Sequence, residues 1–322
     1  MSINKKLKYA IVLSGGGARG LVHAGVFCAL EEAGYPPPSL IAGTSMGAVI
    51  GGLYASGMGG AALKRYVRES LDIGSFMESP VFRMDGPLGR FFQTGQIIGN
   101  IATRPGIDSG SKVMELLEEL TEGKNIEECQ IPFLCNAVDL NAGQEVVFRS
   151  GSLARAIRSS MSFPFFFEPL VDGRYCLVDG GVVENMPVGL AREAGKKLGI
   201  RRILAIDTRR WDTIPSNSLK NGGEVVLRCF DVMVHIAEEC RRKGPAGGGQ
   251  LVVHAADGTS PFDFSRKQQL LDLGEAAIHQ SRTELGAFFG AGPMPAMARR
   301  RLRECGIDTN TYFSGGIHAG TG

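Results

Sequence analysis

Short apolar runs alternate with segments of helical periodicity along the first part of the chain. Residues 7–13 and 40–42 are apolar and each run ends at a glycine, which is typical of buried strands. Residues 20–33 carry apolar side chains at helical spacing before a stop at Gly34, and residues 46–56 repeat the helical pattern. Strand, helix, strand and helix at this spacing predict parallel strand pairing and an α/β fold.

The same alternation continues through the second half of the chain. The predicted strands are short apolar runs at residues 133–139, 145–148, 175–178, 203–206 and 251–254. The predicted helices have apolar positions three or four apart and comprise residues 112–122, 152–160, 187–199, 225–242 and 266–288. A turn signal at residues 141–143 predicts that the first two of these strands form a hairpin.

Two stretches of the chain lack a clear pattern. Residues 57–104 are rich in Gly, Phe and Met, and glycine and proline interrupt any periodicity, so we predict a lid or helical insertion there. Beyond residue 290 the pattern gives way to Pro, Gly and a short basic cluster, which predicts a loosely ordered tail over residues 290–322. We therefore expect one domain over residues 1–289.

Composition narrows the class of protein. The 35 Lys and Arg residues nearly balance the 33 Asp and Glu residues, whereas a nucleic-acid-binding surface normally brings a basic excess. No apolar run approaches the roughly 18 residues that a membrane-spanning helix needs. The seven cysteines are scattered without a CxxC pair, which favours reduced thiols and a cytoplasmic location over disulfides or a zinc site.

A glycine cluster at Gly15–Gly20 fits the pattern G-x-G-x-x-G between a predicted strand and a predicted helix. Backbone N–H groups at a helix N-terminus can hold an anion. A dinucleotide site would also need an acidic residue about 20 positions further on, at the end of the next strand. Residues 40–44 contain no acid, so the segment indicates donors for some other anion.

The segment Gly43–Gly47 fits G-x-S-x-G, with Ser45 between a predicted strand and a predicted helix. At such a turn, a nucleophile elbow exposes the serine hydroxyl in a strained conformation, and flanking glycines avoid collisions with neighbouring backbone. The alternative is that Ser45 simply caps the helix that follows it.

Asp179, Gly180 and Gly181 follow the predicted strand at residues 175–178. The carboxylate stands where α/β sheets commonly place ligands, although an Asp-Gly pair can equally form a simple turn. With the other two motifs it would supply a nucleophile, a base and oxyanion donors at one sheet edge, which are the parts of acyl transfer. Of the five histidines, His254 alone ends a predicted strand, so a Ser45–Asp179–His254 triad of the α/β-hydrolase type stays open.

The three motifs, in this order, resemble those of bacterial patatin-like phospholipases, in the group that includes neuropathy-target-esterase-like proteins. The similarity extends over about residues 8–285 and includes the segments 131–133, 156–162, 182–187 and 264–266. The resemblance implies a three-layer α/β fold with a mostly parallel central sheet flanked by helices. It also implies a catalytic dyad of Ser45 and Asp179 without histidine, and neither a metal nor a cofactor.

The remaining site residues that the resemblance implies fall into two groups. The oxyanion hole would be formed by backbone amides of Gly15, Gly16, Gly17 and Met46. The residues that support the motifs would be Arg19, Gly20, Gly43, Gly47, Gly180 and Gly181.

The expected function is that of a carboxylic ester hydrolase of the phospholipase A or lysophospholipase type. It would cleave lipid or other acyl esters through a covalent acyl-enzyme. Transient contact of the protein with a membrane surface is a further expectation. The alternatives are the triad esterase and a non-catalytic lipid-binding protein that retains the fold. Arg19 could meet a lipid phosphate or brace its motif, and the aromatic run at residues 163–167 could contact acyl chains or belong to the core.

Overall fold

The computed structural model describes residues 3–290, apart from residues 5, 73–104, 210, 212, 216, 221 and 243–248. Its strands are β1 Tyr9–Leu13, β2 Leu40–Gly43, β3 Gly106–Asp108, β4 Phe133–Asp139, β5 Gln144–Phe148, β6 Phe165–Phe167, β7 Leu170–Asp172, β8 Tyr175–Asp179, β9 Arg202–Asp207 and β10 Gln250–His254. Its helices are α1 Val22–Glu32, α2 Met46–Ser56, α3 Gly60–Arg65, α4 Ser111–Leu120, α5 Leu153–Ser160, α6 Val188–Lys197, α7 Gly222–Arg242, α8 Lys267–Gln280 and α9 Arg282–Phe289.

The main sheet has the strand order β10-β9-β1-β2-β4-β8-β7, with β5 also paired to β4. The first five strands of this order are parallel, whereas β5, β7 and β8 form antiparallel pairs. A separate parallel pair joins β3 to β6. The prediction of a mostly parallel sheet is therefore confirmed, and the antiparallel strands gather at one side of it.

Helices cover both faces of the sheet because the central strands are apolar on both sides. On β1, Tyr9, Ile11 and Leu13 point into a core shared with α1, α2 and α8. Ala10 and Val12 point to the opposite face, where α6 packs. The resulting three layers match the expected architecture. Within the described residues, no helix has the length and apolar character needed to cross a bilayer.

β4 brings the ends of β2 and β8 together. Cys135 of β4 pairs with Gly43 of β2 on one side and with β5 on the other. Two residues along, Ala137 pairs with Asp179 of β8 and again with β5, so β8 lies on the same side of β4 as β2. Because β8 is antiparallel to β4, the carboxyl ends of β2 and β8 face each other. Along β4, these two ends are offset by two residues, which is about 7 Å.

Most predicted elements are present with shifts of one to three residues at their ends. The predicted helix over residues 266–288 is two helices, α8 and α9, which meet at Ser281. The short strands β3, β6 and β7 carry too few residues for a periodic pattern and were not predicted. The expected insertion is described only at residues 57–72, where a short helix and a π-helical turn occur. Its remainder and nearly all of the predicted tail lie outside the described residues, so the domain division stays a prediction.

Candidate active site

The glycine-rich loop crosses from β1 into a single 3₁₀ turn, Gly17–Leu21, at the carboxyl edge of the sheet. Gly17 has a φ of +55°, and a Cβ there would lie 2.2 Å from the carbonyl oxygen of Pro261. This position therefore requires glycine. The loop contains the predicted anion donors, but their availability differs.

Gly15 is the exception among the four predicted oxyanion donors. Its N–H donates to the carbonyl of Asn185 at 3.0 Å, so it is not available to a substrate oxygen. Within the described part of the chain, the N–H groups of Gly16, Gly17 and Met46 make no hydrogen bond. The predicted set of four donors is thus reduced to three.

Polar side chains from distant segments hold the glycine loop in place. The Thr208 hydroxyl donates to the carbonyl of Gly15 at 2.8 Å, and the Thr208 N–H donates to the hydroxyl of Ser14 at 2.9 Å. The side-chain amide of Asn185 also donates to the Gly15 carbonyl, at 3.3 Å. Thr208 follows β9, and the sequence carried no motif that marked it as part of this site.

Ser45 occupies a strained turn between β2 and α2, with φ 54° and ψ −123°. Such a conformation is rare for a residue with a side chain and costs about 1–3 kcal/mol. Its N–H donates to the hydroxyl of Ser160 at 3.0 Å. The side chain of Ser45 makes no capping hydrogen bond, so the alternative that it only caps α2 is wrong.

The glycines beside Ser45 permit the tight turn. A Cβ on Gly43 would lie 2.4 Å from the carbonyl oxygen of Gly47, and a Cβ on Gly47 would lie 2.3 Å from that of Leu13. A Cβ on Gly20 would lie 2.5 Å from the Cβ of Met46. These three glycines therefore allow the close backbone approaches that place the elbow beside the glycine loop.

Asp179 ends β8 and is almost completely buried. Its Oδ1 accepts the N–H of Gly181 at 2.7 Å, so the simple turn that we considered as an alternative does form. Its Oδ2 is buried and has no hydrogen bond of acceptable geometry to any described residue. The turn thus uses one oxygen of the carboxylate and leaves the other oxygen unengaged.

Burial raises the pKa of Asp179 from its ordinary 3.8 to about 6, because a desolvated carboxylate resists ionisation. The Ser45 hydroxyl and the Gly181 N–H favour the ionised form and offset part of this effect. The Ser45 hydroxyl is thus close enough to the carboxylate to influence its pKa, although Oδ2 accepts no hydrogen bond from the described residues. The structure places the two predicted catalytic residues together.

Asn136 of β4 connects the serine segment to the aspartate turn. Its Oδ1 accepts the hydroxyl of Thr44, the residue before Ser45, at 2.7 Å. Its Nδ2 donates to the carbonyl of Glu184 at 2.9 Å and lies 3.5 Å from the carbonyl of Gly180. Asn136 is completely buried. The only signal in the sequence for the role of Asn136 was a single amide residue within the apolar run of β4.

The two glycines after Asp179 are tightly enclosed. A Cβ on Gly180 would lie 2.4 Å from Oδ1 of Asn136. A Cβ on Gly181 would lie 2.9 Å from Oδ1 of Asn185 and 3.0 Å from Oδ1 of Asp179 itself. A larger residue at either position would displace the polar groups that hold the carboxylate.

Arg19 is partly buried next to the glycine loop, and its Nε has no hydrogen-bond partner among the described residues. Burial and the nearby Arg209 lower its pKa, whereas Asp231 of α7 opposes this shift. Arg19 therefore faces the junction between the end of β9 and α7. Both roles considered for Arg19, bracing its motif and contacting a lipid phosphate, stay predictions.

His254 does not belong to this site, so the predicted triad is wrong. Its Nδ1 lies 3.5 Å from Oδ2 of Asp207, and about half of its side chain is exposed. β10 is three strands away from β2 in the sheet, about 14 Å. His23, in contrast, is buried and contacts the carbonyl of Ser14, and burial lowers its pKa to about 4.

The aromatic run after Ser162 belongs mainly to the core. Phe166 and Phe167 are buried there, and Phe166 stacks on Phe262 at 4.5 Å between ring centroids. Phe163 packs edge-on against Phe230 of α7 at 5.9 Å. The carbonyl of Ser162 accepts the N–H of Asp179 at 2.9 Å, so this cluster lies directly beside the carboxylate.

The family model described as patatin-like phospholipase matches residues 11–192, more than half of the chain and the part that contains all three motifs. Patatin-like phospholipase domain-containing protein 6 of Mus musculus is 34% identical over 205 residues, which cover 63% of this chain and 14% of that protein. Lysophospholipase NTE1 of Mycosarcoma maydis is 33% identical over 208 residues, covering 64% of this chain and 10% of that protein.

An uncharacterized NTE family protein of Mycobacterium bovis is 34% identical over 182 residues, covering 56% of this chain and 44% of that protein. The aligned region is thus less than half the length of each of these relatives. Among solved structures, human GIVD cytosolic phospholipase A2 is similar over 93% of this chain and 60% of that chain, with a TM-score of 0.45 and 14% identity. VipD from Legionella pneumophila gives a TM-score of 0.40 at 15% identity, over 86% of this chain and 67% of that chain.

Proposed function

The chain belongs to the patatin-like phospholipase family, and from this premise we propose that it hydrolyses acyl esters of lipids through a dyad of Ser45 and Asp179. One observation carries the proposal: a strained serine turn lies beside a buried carboxylate that has an unengaged oxygen. No cation is among the groups that shift the pKa of this carboxylate. A base with a pKa of about 6 is mostly ionised at neutral pH and still accepts a proton.

The first step is attack of the Ser45 oxygen on the ester carbonyl carbon. Asp179 takes the hydroxyl proton directly, and the C–O bond to the alcohol breaks as the tetrahedral intermediate collapses. The proton on Asp179 then passes to the departing alcohol. A covalent acyl ester remains on Ser45.

The negative charge of the tetrahedral intermediate needs donors that are in place before the reaction. The N–H groups of Gly16, Gly17 and Met46 fill this role in the proposal, because no described group occupies them. The N-terminus of α2, which begins at Met46, adds the favourable end of its helix dipole. Removing a single donor of this kind typically costs about 3 kcal/mol of transition-state stabilisation.

In the second step a water molecule attacks the acyl carbon. Asp179, again ionised, takes a proton from this water, and the Ser45 oxygen leaves with that proton as the fatty acid is released. The dyad uses no histidine. The substrate class proposed is a phospholipid or lysophospholipid, in keeping with the names of the family and of the fungal relative.

A fluorophosphonate probe tests the nucleophile directly. We expect it to label Ser45, as located by peptide mass spectrometry, and we expect Ser45→Ala to abolish both labelling and hydrolysis. The assay panel would include a short p-nitrophenyl ester, a lysophospholipid and a diacyl phospholipid. Labelling at another serine, or no turnover of any of these esters by the wild-type chain, would overturn the proposal in favour of a non-catalytic lipid-binding protein.

A further inference from the structure

The helix α7 exposes apolar side chains where a surface helix normally exposes polar ones. Among the described residues, nine large apolar side chains are exposed, and six of them lie between residues 214 and 236. Four are on α7 itself, and they are Val225 (43% exposed), Val226 (56%), Met233 (65%) and Ile236 (55%). Cys229 of the same helix is also exposed.

These five side chains share one side of the helix. At 100° per residue they fall within an arc of about 100°, which we call the outer face of α7. The only other positions of the helix inside this arc are Gly222 and Cys240, so the sequence places no charged residue there. The described charged residues of α7 lie outside this arc. Glu238, for example, is buried and pairs with Arg209 at 2.9 Å. The helix therefore exposes an apolar face, which a surface helix normally buries.

The inner side of α7 lies next to the candidate active site. Phe230 contacts Phe163, which follows Ser162, and Ser162 accepts the backbone N–H of Asp179. Asp231 of α7 influences the pKa of Arg19 beside the glycine loop. α7 therefore packs against residues that adjoin both the Asp179 turn and the glycine loop.

We propose that the outer face of α7 is the surface by which the protein docks on a lipid surface. This inference rests on the proposed function, because an enzyme whose substrate is a lipid must take it from a lipid aggregate. An uninterrupted apolar arc suits the acyl boundary of a lipid layer, into which such helices bury one face. A protein partner would more commonly find polar groups at the rim that set its register.

A second copy of the chain fits this face less well. A stable interface between two proteins buries about 800 Å² and involves about 20–30 residues on each side. The outer face of α7 supplies five described side chains on one helix. A lipid surface has no such minimum size, because each buried apolar group adds its own transfer free energy.

Trp211 offers a built-in reporter on the flank of α7, outside the apolar arc. It is the only tryptophan of the chain, it stacks on His235 of α7 at 4.1 Å, and the guanidinium of Arg228 lies 4.1 Å from its ring centroid. A tryptophan ring flanked by a cation suits the boundary between water and acyl chains. Its fluorescence should therefore respond when α7 reaches a lipid surface.

The test measures binding of the full chain to phosphatidylcholine vesicles by co-flotation and by Trp211 emission. We expect the wild type to bind with a blue shift of emission, and we expect binding at 0.5 M NaCl to be no weaker than at 0.1 M, since the face carries no charge. The double variant Met233→Asp/Ile236→Asp should bind at least about tenfold more weakly, because a carboxylate is costly in an acyl environment. The matched control Val171→Asp, at a 70% exposed apolar residue of β7, should bind like the wild type.

Hydrolysis of a short, water-soluble ester separates the two proposals. We expect all of these variants to hydrolyse it like the wild type, and Val226→Asp provides a second variant if the double variant unfolds. Vesicle binding without turnover of any ester would overturn the proposed function and leave the docking surface. Turnover without vesicle binding, or equal binding by wild type and the double variant, would overturn the docking surface. A concentration-dependent dimer that is lost in the double variant would assign the face to a second copy instead.

Discussion

β8 and β9 each end in a buried aspartate, as does β4, and the ends of β8 and β9 differ at the second carboxylate oxygen. Asp179 ends β8 and Asp207 ends β9. In each, Oδ1 accepts the N–H of the residue two positions later, Gly181 at 2.7 Å and Arg209 at 3.0 Å. The difference lies at the second oxygen. Oδ2 of Asp207 lies 3.5 Å from His254, whereas Oδ2 of Asp179 has no partner in the described structure.

This comparison separates a structural carboxylate from a candidate base. A carboxylate oxygen that already has a side-chain partner is less available to take a proton from a serine hydroxyl than one without a partner. Oδ2 of Asp179 has no such partner among the described residues, and burial raises the pKa of Asp179 to about 6. Both aspartates stand at strand ends followed by turns, so the strand-end pattern alone does not distinguish them.

The largest expected effect is a loss of catalysis in Asp179→Asn, for which Asp207→Asn is the matched control. Asp179→Asn should lower kcat by about 10²–10⁴-fold, because it removes the proposed general base while keeping an oxygen that can accept the Gly181 N–H. Asp207→Asn should leave kcat within about threefold of wild type, since that side chain touches no reacting group. Steady-state kinetics on a soluble ester measure both, and similar losses in the two variants would contradict the assignment.

The next largest effect is an increase in stability, in contrast to the loss of catalysis. The pKa of Asp179 is higher in the folded chain than its ordinary 3.8, so its contribution to stability is fully present below pH 3.8 and is lost as the pH rises through about 6. At pH 8, Asp179→Asn should therefore raise the free energy of unfolding by up to about 3 kcal/mol. The gain should shrink towards pH 4, as urea unfolding at both pH values would reveal. A variant that is less stable than wild type at pH 8 would argue against a desolvated carboxylate.

Breaking the connection between β2 and β8 should give a smaller loss of activity. Asn136→Ala removes the 2.7 Å acceptor of the Thr44 hydroxyl and the 2.9 Å donor to the Glu184 carbonyl, leaving the longer Thr44–Glu184 hydrogen bond at 3.2 Å, at a cost of about 1–3 kcal/mol. A displacement of the dyad should lower kcat by about tenfold or more, with a smaller change in KM. Asn141→Ala, at an exposed amide of the same hairpin, is the matched control. An unchanged kcat in a folded Asn136→Ala variant would contradict a positioning role for Asn136.

The smallest expected effect is on the pH dependence of kcat/KM, which also distinguishes Asp179 from the Asp207–His254 pair. Because Asp179 must be ionised, kcat/KM should fall below pH 6 and be about tenfold lower at pH 5 than on its plateau. His254→Ala should shift neither the midpoint nor the plateau, since His254 pairs with Asp207 far from Ser45. A profile that stays flat to pH 4, or one whose midpoint moves in the His254 variant, would contradict a buried aspartate as the only base.

Several parts of the fold could be predicted from the sequence because their causes are local. The helix over Met46–Ser56 begins and ends where the pattern predicts, since a strand end, a glycine pair and an apolar run all agree there. The hairpin of β4 and β5 follows from two apolar runs around a turn signal. The three-residue strands could not be predicted, because three residues contain no measurable period.

The site shows the same division between local and distant causes. The chemistry of the elbow depends on neighbours in sequence, so G-x-S-x-G between a predicted strand and a predicted helix indicated a strained turn, with a simple helix cap as the alternative. The loss of Gly15 as a donor depends on the Asn185 carbonyl, 170 positions away along the chain. The contributions of Asn136 and Thr208 also come from other strands, and a polar residue in an apolar strand indicates only that some partner must exist.

By itself, the sequence determined the α/β alternation, the serine turn and the types of residue available for acyl transfer. Only the tertiary structure decided that Ser45 and Asp179 meet. We expected their strands to end at a common edge, but β8 runs against β4 and approaches β2 from the opposite direction. The physical reason is that side-chain alternation is the same in parallel and antiparallel strands, so strand direction depends on pairing with distant segments.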